Sequence, residues 1–276
     1  DVMDHNVKVH PVDINKSSWD HTLEDSGHVL RLGFRQIKGV KKTTIEALIG
    51  ARNEPYRSIN ELHYRSGLSK AVLERLARAD VFSSLGLTRR EAVWAVGGLD
   101  EAPLPLFAYA GNSEEHDLHR EHLINLPAMP LGEQVVNDYR TLSLSLKSHP
   151  LALLRSDLRL RGCVLLGELP YIEHGQRVRL AGLVTARQSP STAKGVMFIT
   201  LEDETAYTNL VVWPNIFERF RRQILSATLL EVAGEVQKEG LVIHVISHRL
   251  WDLTPWLKRL ENVKEGPFAV HVRNFC

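Results

Sequence analysis

Polar and apolar residues alternate along the final third of the chain, which is the pattern of half-buried β-strands. The alternation is clearest from Arg177 to Val184. Four further strands are predicted at 195–201, 207–213, 229–236 and 241–247, with a helix between the third and fourth strands at 214–225. Three strands, a helix and two strands is the order of a five-stranded OB-type β-barrel, so we predict such a barrel at 171–254, followed by a tail at 255–276.

The region 31–97 has the helical period instead, in short segments that are separated by glycines. Three S/T-x-x-E patterns predict helix starts with capping boxes, in which the hydroxyl and the carboxylate each bind an unpaired amide. The pairs are Thr43 with Glu46, Ser58 with Glu61, and Thr88 with Glu91. The fold class is therefore α+β and multidomain.

The remaining segments are less regular. Residues 1–30 contain a weak strand pattern and are interpreted as the incomplete edge of a larger domain. Residues 98–130 are acidic and broken by Pro and Gly, which predicts a linker. Residues 131–170 return to helical spacing and are predicted to form a helical connector to the barrel.

Charge is distributed unevenly, although the net charge of the 276 residues is only +1. Residues 31–90 hold thirteen Lys and Arg against five Asp and Glu, a balance of +8, whereas 91–150 hold three against nine, a balance of −6. A basic block is typical of a part that meets a polyanion, and a solvated helical surface explains it equally well.

Apolar runs, signal peptides and cysteine content indicate in which cellular compartment a protein acts. No apolar run is long enough to span a bilayer, and no secretory signal is present. The only cysteines, Cys163 and Cys276, are too few for a disulfide framework. We therefore expect a cytoplasmic protein that does not bind membranes. Because the first residue is Asp1 rather than Met, we expect a fragment or a processed product.

The string from Ile37 to Leu48 resembles the hairpin of a helix-hairpin-helix module. A glycine turn in such a hairpin brings backbone amides and a helix N-terminus against a DNA phosphate without reading bases. Lysine stands where the second glycine of that motif is expected, and a plain helical turn is the alternative. The predicted DNA-binding residues are Lys38, Gly39, Val40, Lys41, Lys42 and Thr43, with Gly67, Ser69 and Lys70 in a second, weaker hairpin.

The barrel offers further candidates for nucleic-acid binding, since OB folds stack bases on aromatic rings and follow phosphates with Lys and Arg. They are Arg179, Arg187, Lys194, Phe198, Asn209 and Trp213. For the two aromatic residues, a place in the barrel core is the favoured alternative. Arg187 and Lys194 flank the predicted loop between the first two strands, which grips ligands in such barrels. The acidic run Glu202–Glu204 is predicted to be a solvated turn.

No nucleotide-binding loop, serine-hydrolase elbow, zinc-protease motif or paired-aspartate polymerase centre is present in the sequence. Four strings, however, resemble the C-terminal region of bacterial C-family DNA polymerases, and most of all the error-prone homologues of the DNA polymerase III alpha subunit. They lie at 30–40, 73–82, 138–151 and 193–205, in the order that the family has.

The resemblance implies part of a polymerase that copies damaged DNA in mutagenic repair and binds duplex and single-stranded DNA. It implies that residues 1–30 end a fingers domain. The catalytic palm and its Mg²⁺ would precede Asp1, so no catalytic residue, cofactor or metal is assigned here. A tRNA- or RNA-binding OB module and a non-catalytic protein scaffold remain the alternatives.

The segment Pro103–Phe107 resembles the short peptide by which bacterial polymerases hold the sliding clamp. Leu104, Leu106 and Phe107 match the peptide, whereas Pro103 stands where Gln is expected. Such peptides insert a few apolar anchors into a preformed pocket. On this resemblance, the sliding clamp and other mutagenesis proteins are candidate partners. Docking of the same residues onto their own domain is the favoured alternative.

Overall fold

A computed structural model describes residues 7–99, 126–190, 195–240, 242–260 and the backbone of 273–275. The chain forms two compact units, Asp1–Met129 and Pro130–Cys276. The division falls at the end of the segment that the sequence predicts as a linker.

The N-terminal unit begins with a small sheet of three short strands. These are β1 (Lys8–His10), β2 (Thr22–Glu24) and β3 (Val29–Arg31), in the order β1-β3-β2. β3 runs parallel to β1 and antiparallel to β2. The Arg31 side chain binds both carboxylate oxygens of Glu24, at 2.6 and 2.9 Å. With His10, this fork holds the pKa of Glu24 down at about 2.

Four helices complete the unit: α1 (Lys42–Gly50), α2 (Ile59–Ser66), α3 (Lys70–Arg78) and α4 (Arg89–Gly97). Each turns an apolar face inward, and the side chains at its centre are inaccessible to solvent. Fully buried members include Ile45, Leu48, Leu62, Leu73 and Leu76. Burial of such side chains, rather than helix propensity, stabilises helices of eight or nine residues.

The three predicted capping boxes have different outcomes. Thr88 and Glu91 form the complete box. Ser58 accepts the amide of Glu61, but the Glu61 carboxylate binds the amide of Arg57 instead of that of Ser58. The box at Thr43 is wrong, because the N-cap of α1 is Lys41, two residues earlier, and this extended residue makes no side-chain cap.

The structure corrects the boundary predicted after residue 30. Ile14 and Ser17 are fully buried, and the Ile14 amide donates to the Val81 carbonyl at 2.9 Å. The Asp13 carboxylate accepts hydrogen bonds from Ser83 and Ser84. Val12, Asp13, Ile14 and Ser17 therefore lie in the interior of the helical unit and not at the edge of another domain, and Asp13 satisfies polar groups of the loop at Ser83 and Ser84.

The C-terminal unit begins with α5 (Leu131–Leu142) and α6 (Pro150–Leu160) and continues into a closed barrel. The barrel strands and the helix among them are β4 (Arg177–Gln188), β5 (Met197–Glu202), β6 (Tyr207–Val212), α7 (Pro214–Ser226), β7 (Leu229–Glu239) and β8 (Val242–Asp252). The strand order is β5-β6-β8-β7-β4, and β4 pairs with β5 to close the ring. This is the predicted five-stranded OB fold.

Two apolar cores share the barrel wall. The inner core fills the barrel, with Leu180, Ile199 and Leu210 among its members. The second core lies outside β4 and β7, where α5 and α6 pack against Leu183 and Leu229. The predicted helical connector is therefore part of the barrel unit, since its helices cover one outer face of the sheet.

The predicted C-terminal tail also contains regular structure. A short helix, α8 (Thr254–Leu257), buries Leu257 in the second core. A last strand, β9 (Arg273–Phe275), pairs in parallel with Ala186–Gln188 of β4, beyond the point where β7 leaves that edge.

Candidate nucleic-acid interface

The first predicted hairpin is a turn that exposes its backbone and its lysines. A short 3-10 helix, Phe34–Gln36, precedes it and Ile37 is buried, which anchors one side. Gly39 then adopts a φ of +74°, and the chain enters α1 three residues later. Lys38, Gly39, Lys41, Lys42 and Thr43 are exposed, whereas Val40 is half-buried beneath them. The hairpin residues thus lie together, with a helix N-terminus beside them.

Arg75, which no sequence motif indicated, supports this hairpin from α3. Its Nη1 donates to the Gly39 carbonyl, and a Cβ on Gly39 would lie 3.6 Å from the same atom. Arg75 remains exposed, so it adds a fourth cation beside the three lysines. Helical period alone placed it on the polar side of α3, which gives no sign of this contact.

The second predicted hairpin joins α2 to α3 and uses its lysine differently. Gly67 ends α2 with a φ of +64°, and Gly67 and Ser69 are exposed. The Lys70 Nζ donates to the carbonyls of Gly97 at 2.6 Å and Leu99 at 3.1 Å, at the end of α4. Lys70 therefore satisfies helix-end carbonyls and does not project freely towards a phosphate.

A third turn with the same backbone geometry joins α3 to α4. Gly86 has a φ of +72°, an aliphatic residue follows, and α4 begins with a basic residue three positions after the glycine, as in the other two turns. From the sequence, Gly86 was predicted only as a break between helices. Here the basic residue, Arg89, is buried and lies 3.5 Å from Asp80, so the exposed groups are Gly86 and Thr88.

The outer surface of the second, third and fifth barrel strands presents two rows of side chains, which we call the groove face. One row is Phe198, Val211 and Ile246, and the other is Thr200, Asn209 and His244, by the register of β5, β6 and β8. Thr200 Oγ1 lies 2.9 Å from Asn209 Oδ1. OB folds bind single strands on this face.

Phe198 and Asn209 thus lie on the groove face, and their binding of nucleic acid stays a prediction. Phe198 is half-buried on the outside of the barrel, and Trp213, which precedes α7, is 48% exposed. The favoured core position is wrong for both aromatic residues, because neither side chain lies in the barrel core. Lys194 lies outside the described residues.

Arg187 is a correction, because its side chain is buried. Its Nε donates to the Ile224 carbonyl at 2.6 Å, and its Nη2 donates to the Ala227 carbonyl. Burial lowers the pKa of this guanidinium. Arg187 therefore satisfies the last carbonyls of α7 and is not available to a ligand in the loop between the first two strands.

Arg179 is also corrected in position. It lies on the half of β4 that pairs with β7, and its Nη1 donates to the Arg161 carbonyl at 3.1 Å. The guanidinium stacks 5.0 Å from the ring of Trp251. In the closed strand order, this part of the wall lies across the barrel from β6, so Arg179 is not on the groove face.

The acidic run after β5 is a structural connection and not the predicted solvated turn. Asp203 is buried and accepts the amides of Leu166, Thr205 and Ala206. Arg155 of α6 binds both carboxylate oxygens of Glu204, at 2.6 and 2.7 Å. The turn between two groove strands is thereby fixed to α6.

Two other features, a metal-binding cluster and a membrane-spanning helix, are absent from the part of the chain that the structure describes. No cluster of three or more His, Cys, Asp or Glu side chains is arranged to hold a metal ion there. Among the same residues, none of the helices has both the length and the apolar character needed to cross a membrane. The clamp-like residues Leu104, Leu106 and Phe107 lie outside the described residues.

Two family models match the chain. Residues 6–92 match a helix-hairpin-helix motif, and residues 178–248 match an OB-fold nucleic acid binding domain. The first match includes the small sheet as well as the helices, and the second covers most of the barrel.

Two solved structures with a similar fold align with low TM-scores. Asparaginyl-tRNA synthetase from Pyrococcus horikoshii aligns over 33% of this chain and 22% of its own, at 23% identity and a TM-score of 0.29. A small single-stranded DNA binding protein from Mycoplasma pneumoniae aligns over 28% of this chain and 92% of its own, at 12% identity and a TM-score of 0.25. Neither likeness distinguishes one nucleic acid from another.

Three DNA polymerases are much more similar to this chain in sequence than these solved structures are. Error-prone DNA polymerase 1 of Rhizobium meliloti is 45% identical over 93% of this chain and 25% of its own length. The error-prone DNA polymerases of Ruegeria pomeroyi and Brucella abortus are 44% and 45% identical, over 94% and 99% of this chain and 23% and 26% of their own lengths. The chain spans about a quarter of these relatives. It belongs to the error-prone, C-family DNA polymerases as one region of such a protein, and this region carries a helix-hairpin-helix motif and an OB fold.

Proposed function

We propose that this chain is the DNA-binding region of an error-prone polymerase that copies damaged templates, with the hairpins on duplex DNA and the barrel on single-stranded template. The observation that carries the proposal is the first hairpin. Its exposed glycine turn is surrounded by Lys38, Lys41, Lys42 and Arg75, and α1 points its N-terminus at the same place. Backbone amides and cations in this arrangement suit a phosphate and carry no base preference.

The test changes two lysines of that turn. Lys41→Glu together with Lys42→Glu is expected to weaken duplex binding about equally for all sequences and to flatten the salt dependence by about one to two units. The matched control is Lys16→Glu with Arg57→Glu, which changes two exposed cations near the other end of α1. The two positions are close in space, because the side chain of Asn15 donates to the carbonyl of Tyr56. An unchanged salt slope in the hairpin variant, or an equal loss in the control, contradicts the proposal.

The barrel is tested on the groove face. Phe198→Ala with Asn209→Ala is expected to weaken binding of a short single strand more than binding of a duplex, since base stacking is worth about 1–3 kcal/mol per base. Thermal melting of the variant must accompany the binding measurement. Equal losses on both forms of DNA, with melting unchanged, would place the single-strand site elsewhere.

The relatives' names suggest further details of the function, and each of these details has its own test. Template-directed extension of a primer by the purified chain would contradict our assignment of the catalytic carboxylates and their Mg²⁺ to residues outside it. Preference for tRNA in competition with single-stranded DNA would favour the RNA-binding alternative. Binding without salt dependence would favour the protein scaffold. We place its action in the cytoplasm, where a sliding clamp bound by Leu104, Leu106 and Phe107 is a partner to test with the peptide 101–110.

A further inference from the structure

The outer wall of β4, β7 and β8 carries a surface that the proposed function does not use, and we call it the arginine–tryptophan face. Its members are Arg161, Arg179, Arg249, Trp251, Trp256 and Arg259. In the closed order β5-β6-β8-β7-β4, one strand separates β6 from β7 and one separates it from β4 on the other side. The arginine–tryptophan face therefore lies on the side of the barrel away from β6.

Three of its four arginines, Arg161, Arg179 and Arg259, are held in place by ion pairs or by stacking on tryptophan. Glu231 is fully buried below them, and its carboxylate lies 2.6 Å from Arg161 Nε and 3.4 Å from Arg179 Nε. Arg179 also stacks on Trp251, at 5.0 Å. On the other side, Trp256 lies under the guanidinium groups of Arg161, at 5.6 Å, and Arg259, at 4.6 Å. Stacking and ion pairing fix the direction of each planar guanidinium.

The fixed guanidinium groups keep donors for another molecule. Among the described residues, no acceptor binds the two terminal nitrogens of Arg161 or the Nη2 of Arg179. These side chains are 36% and 39% exposed. Because Glu231 is inaccessible, the groups of this ion-paired cluster that face the solvent are the guanidinium groups of Arg161 and Arg179. One exposed carboxylate, that of Asp157, lies 3.7 Å from Arg259 Nη1 at the edge of the face. Donors fixed in advance lose less entropy on binding than donors on free side chains.

The surface also has a low floor between two arginines. In the register of the sheet, Ala233 of β7 pairs with Arg179 on one side and with Arg249 on the other. The two arginines stand about 10 Å apart at their Cα atoms, two strand spacings. A methyl group between them leaves a shallow trough with a cation on each wall.

We propose that this trough binds the phosphodiester backbone of single-stranded DNA that continues round the barrel from the groove face. Arginine forks match phosphate oxygens, and partly exposed tryptophan rings beside them suit unstacked bases, which duplex DNA does not offer. The inference rests on the proposed single-strand binding by the groove face, and it adds a second contact that only a longer strand reaches.

The test compares two lengths of oligothymidine on the whole chain. A strand of about 8 nucleotides fills one OB site, whereas one of about 30 can also reach the opposite wall. The variant Arg249→Glu with Arg259→Glu leaves both contacts of Glu231 intact. It is expected to weaken binding of the long strand about tenfold and to flatten its salt dependence by about one unit, since single strands lose about 0.7 unit per phosphate contact. Affinity for the short strand should stay within about twofold.

The matched control has the same change of charge on the exposed side of α7, Arg219→Glu with Arg222→Glu, and should leave the ratio of the two affinities unchanged. A 30-nucleotide strand carrying 5-iodouracil should crosslink on irradiation to peptides that contain Trp251 or Trp256, and the short strand should not.

Three results overturn the inference: equal losses for both lengths, loss of the length effect in the control as well, or stronger competition by a 30-base-pair duplex than by the single strand. If the unmodified chain binds neither oligothymidine, the proposed function of the groove face fails instead.

Discussion

His149 provides a test of the barrel unit that is independent of DNA. It precedes α6, where its Nδ1 accepts the amide of Leu151 at 3.2 Å, and its Nε2 is buried without a partner in the described part of the chain. Burial lowers the pKa of this imidazole from 6.5 to about 4, against the raising effect of the nearby Glu204 and Asp203 carboxylates. The folded protein therefore keeps His149 neutral where the unfolded chain protonates it.

The sign of the effect follows from proton binding. Below pH 6.5 the unfolded state binds a proton that the folded state refuses until about pH 4, so stability falls as the pH drops through this window. At pH 5 the difference amounts to about 2 kcal/mol. In His149→Asn the amide oxygen still caps the helix but does not titrate. The variant should therefore lose about 2 kcal/mol less than the wild type between pH 7 and pH 5.

The measurement is urea unfolding at the two pH values, followed by pulse-labelling hydrogen exchange of β4 and β7 peptides, which reports this unit alone. His248→Asn, at an exposed position on β8, is the control and should behave as the wild type does. If wild type and His149→Asn lose the same stability on acidification, His149 is not the neutral cap that the structure indicates.

Two further predictions concern barrel stability. Arg187→Ala should lower the free energy of unfolding by about 2–4 kcal/mol, because two helix-end carbonyls lose their donor. The affinity of the folded protein for single-stranded DNA should stay unchanged. A loss of affinity without a loss of melting temperature would return Arg187 to the ligand site. Gly234→Ala should prevent barrel closure or cost about 3 kcal/mol or more, since its Cβ would lie 2.3 Å from the Ile246 carbonyl oxygen. Gly240→Ala, in open space at a φ of +61°, should cost only about 1–2 kcal/mol in the same melting experiment.

The barrel was predictable because local sequence patterns indicate the order of its strands and its helix. Alternation identifies each strand, and Pro214 marks the first turn of α7. Arg187 was predicted to flank a loop because the alternation is clear only as far as Val184, whereas β4 continues to Gln188. A bulge between Val184 and Ala186 shifts the register by one residue, so residues after it change sides. Arg179 before the bulge points outward, whereas Arg187 after it points inward, towards α7.

The helical unit shows a different limit. The sequence identified the first hairpin from its glycine and lysines, but it did not show which cations are used within the fold. Lys70 binds a carbonyl 27 residues away, and Arg75 binds one 36 residues away. Such contacts depend on tertiary packing, on which the local period carries no information. The burial of Val12–Ile14 and Ser17 was missed for the same reason.

That buried segment has a consequence for synthesis on the ribosome. Asp13 takes its partners from Ser83 and Ser84, which follow it by 70 and 71 residues. The N-terminal unit therefore cannot complete its core until the chain beyond Ser84 has left the exit tunnel. Until then, Ile14 and the apolar faces of α1 to α3 are open to chaperones. The unit should fold late and in one step, because the loop at Ser83 and Ser84 closes around a residue that was made about 70 residues earlier.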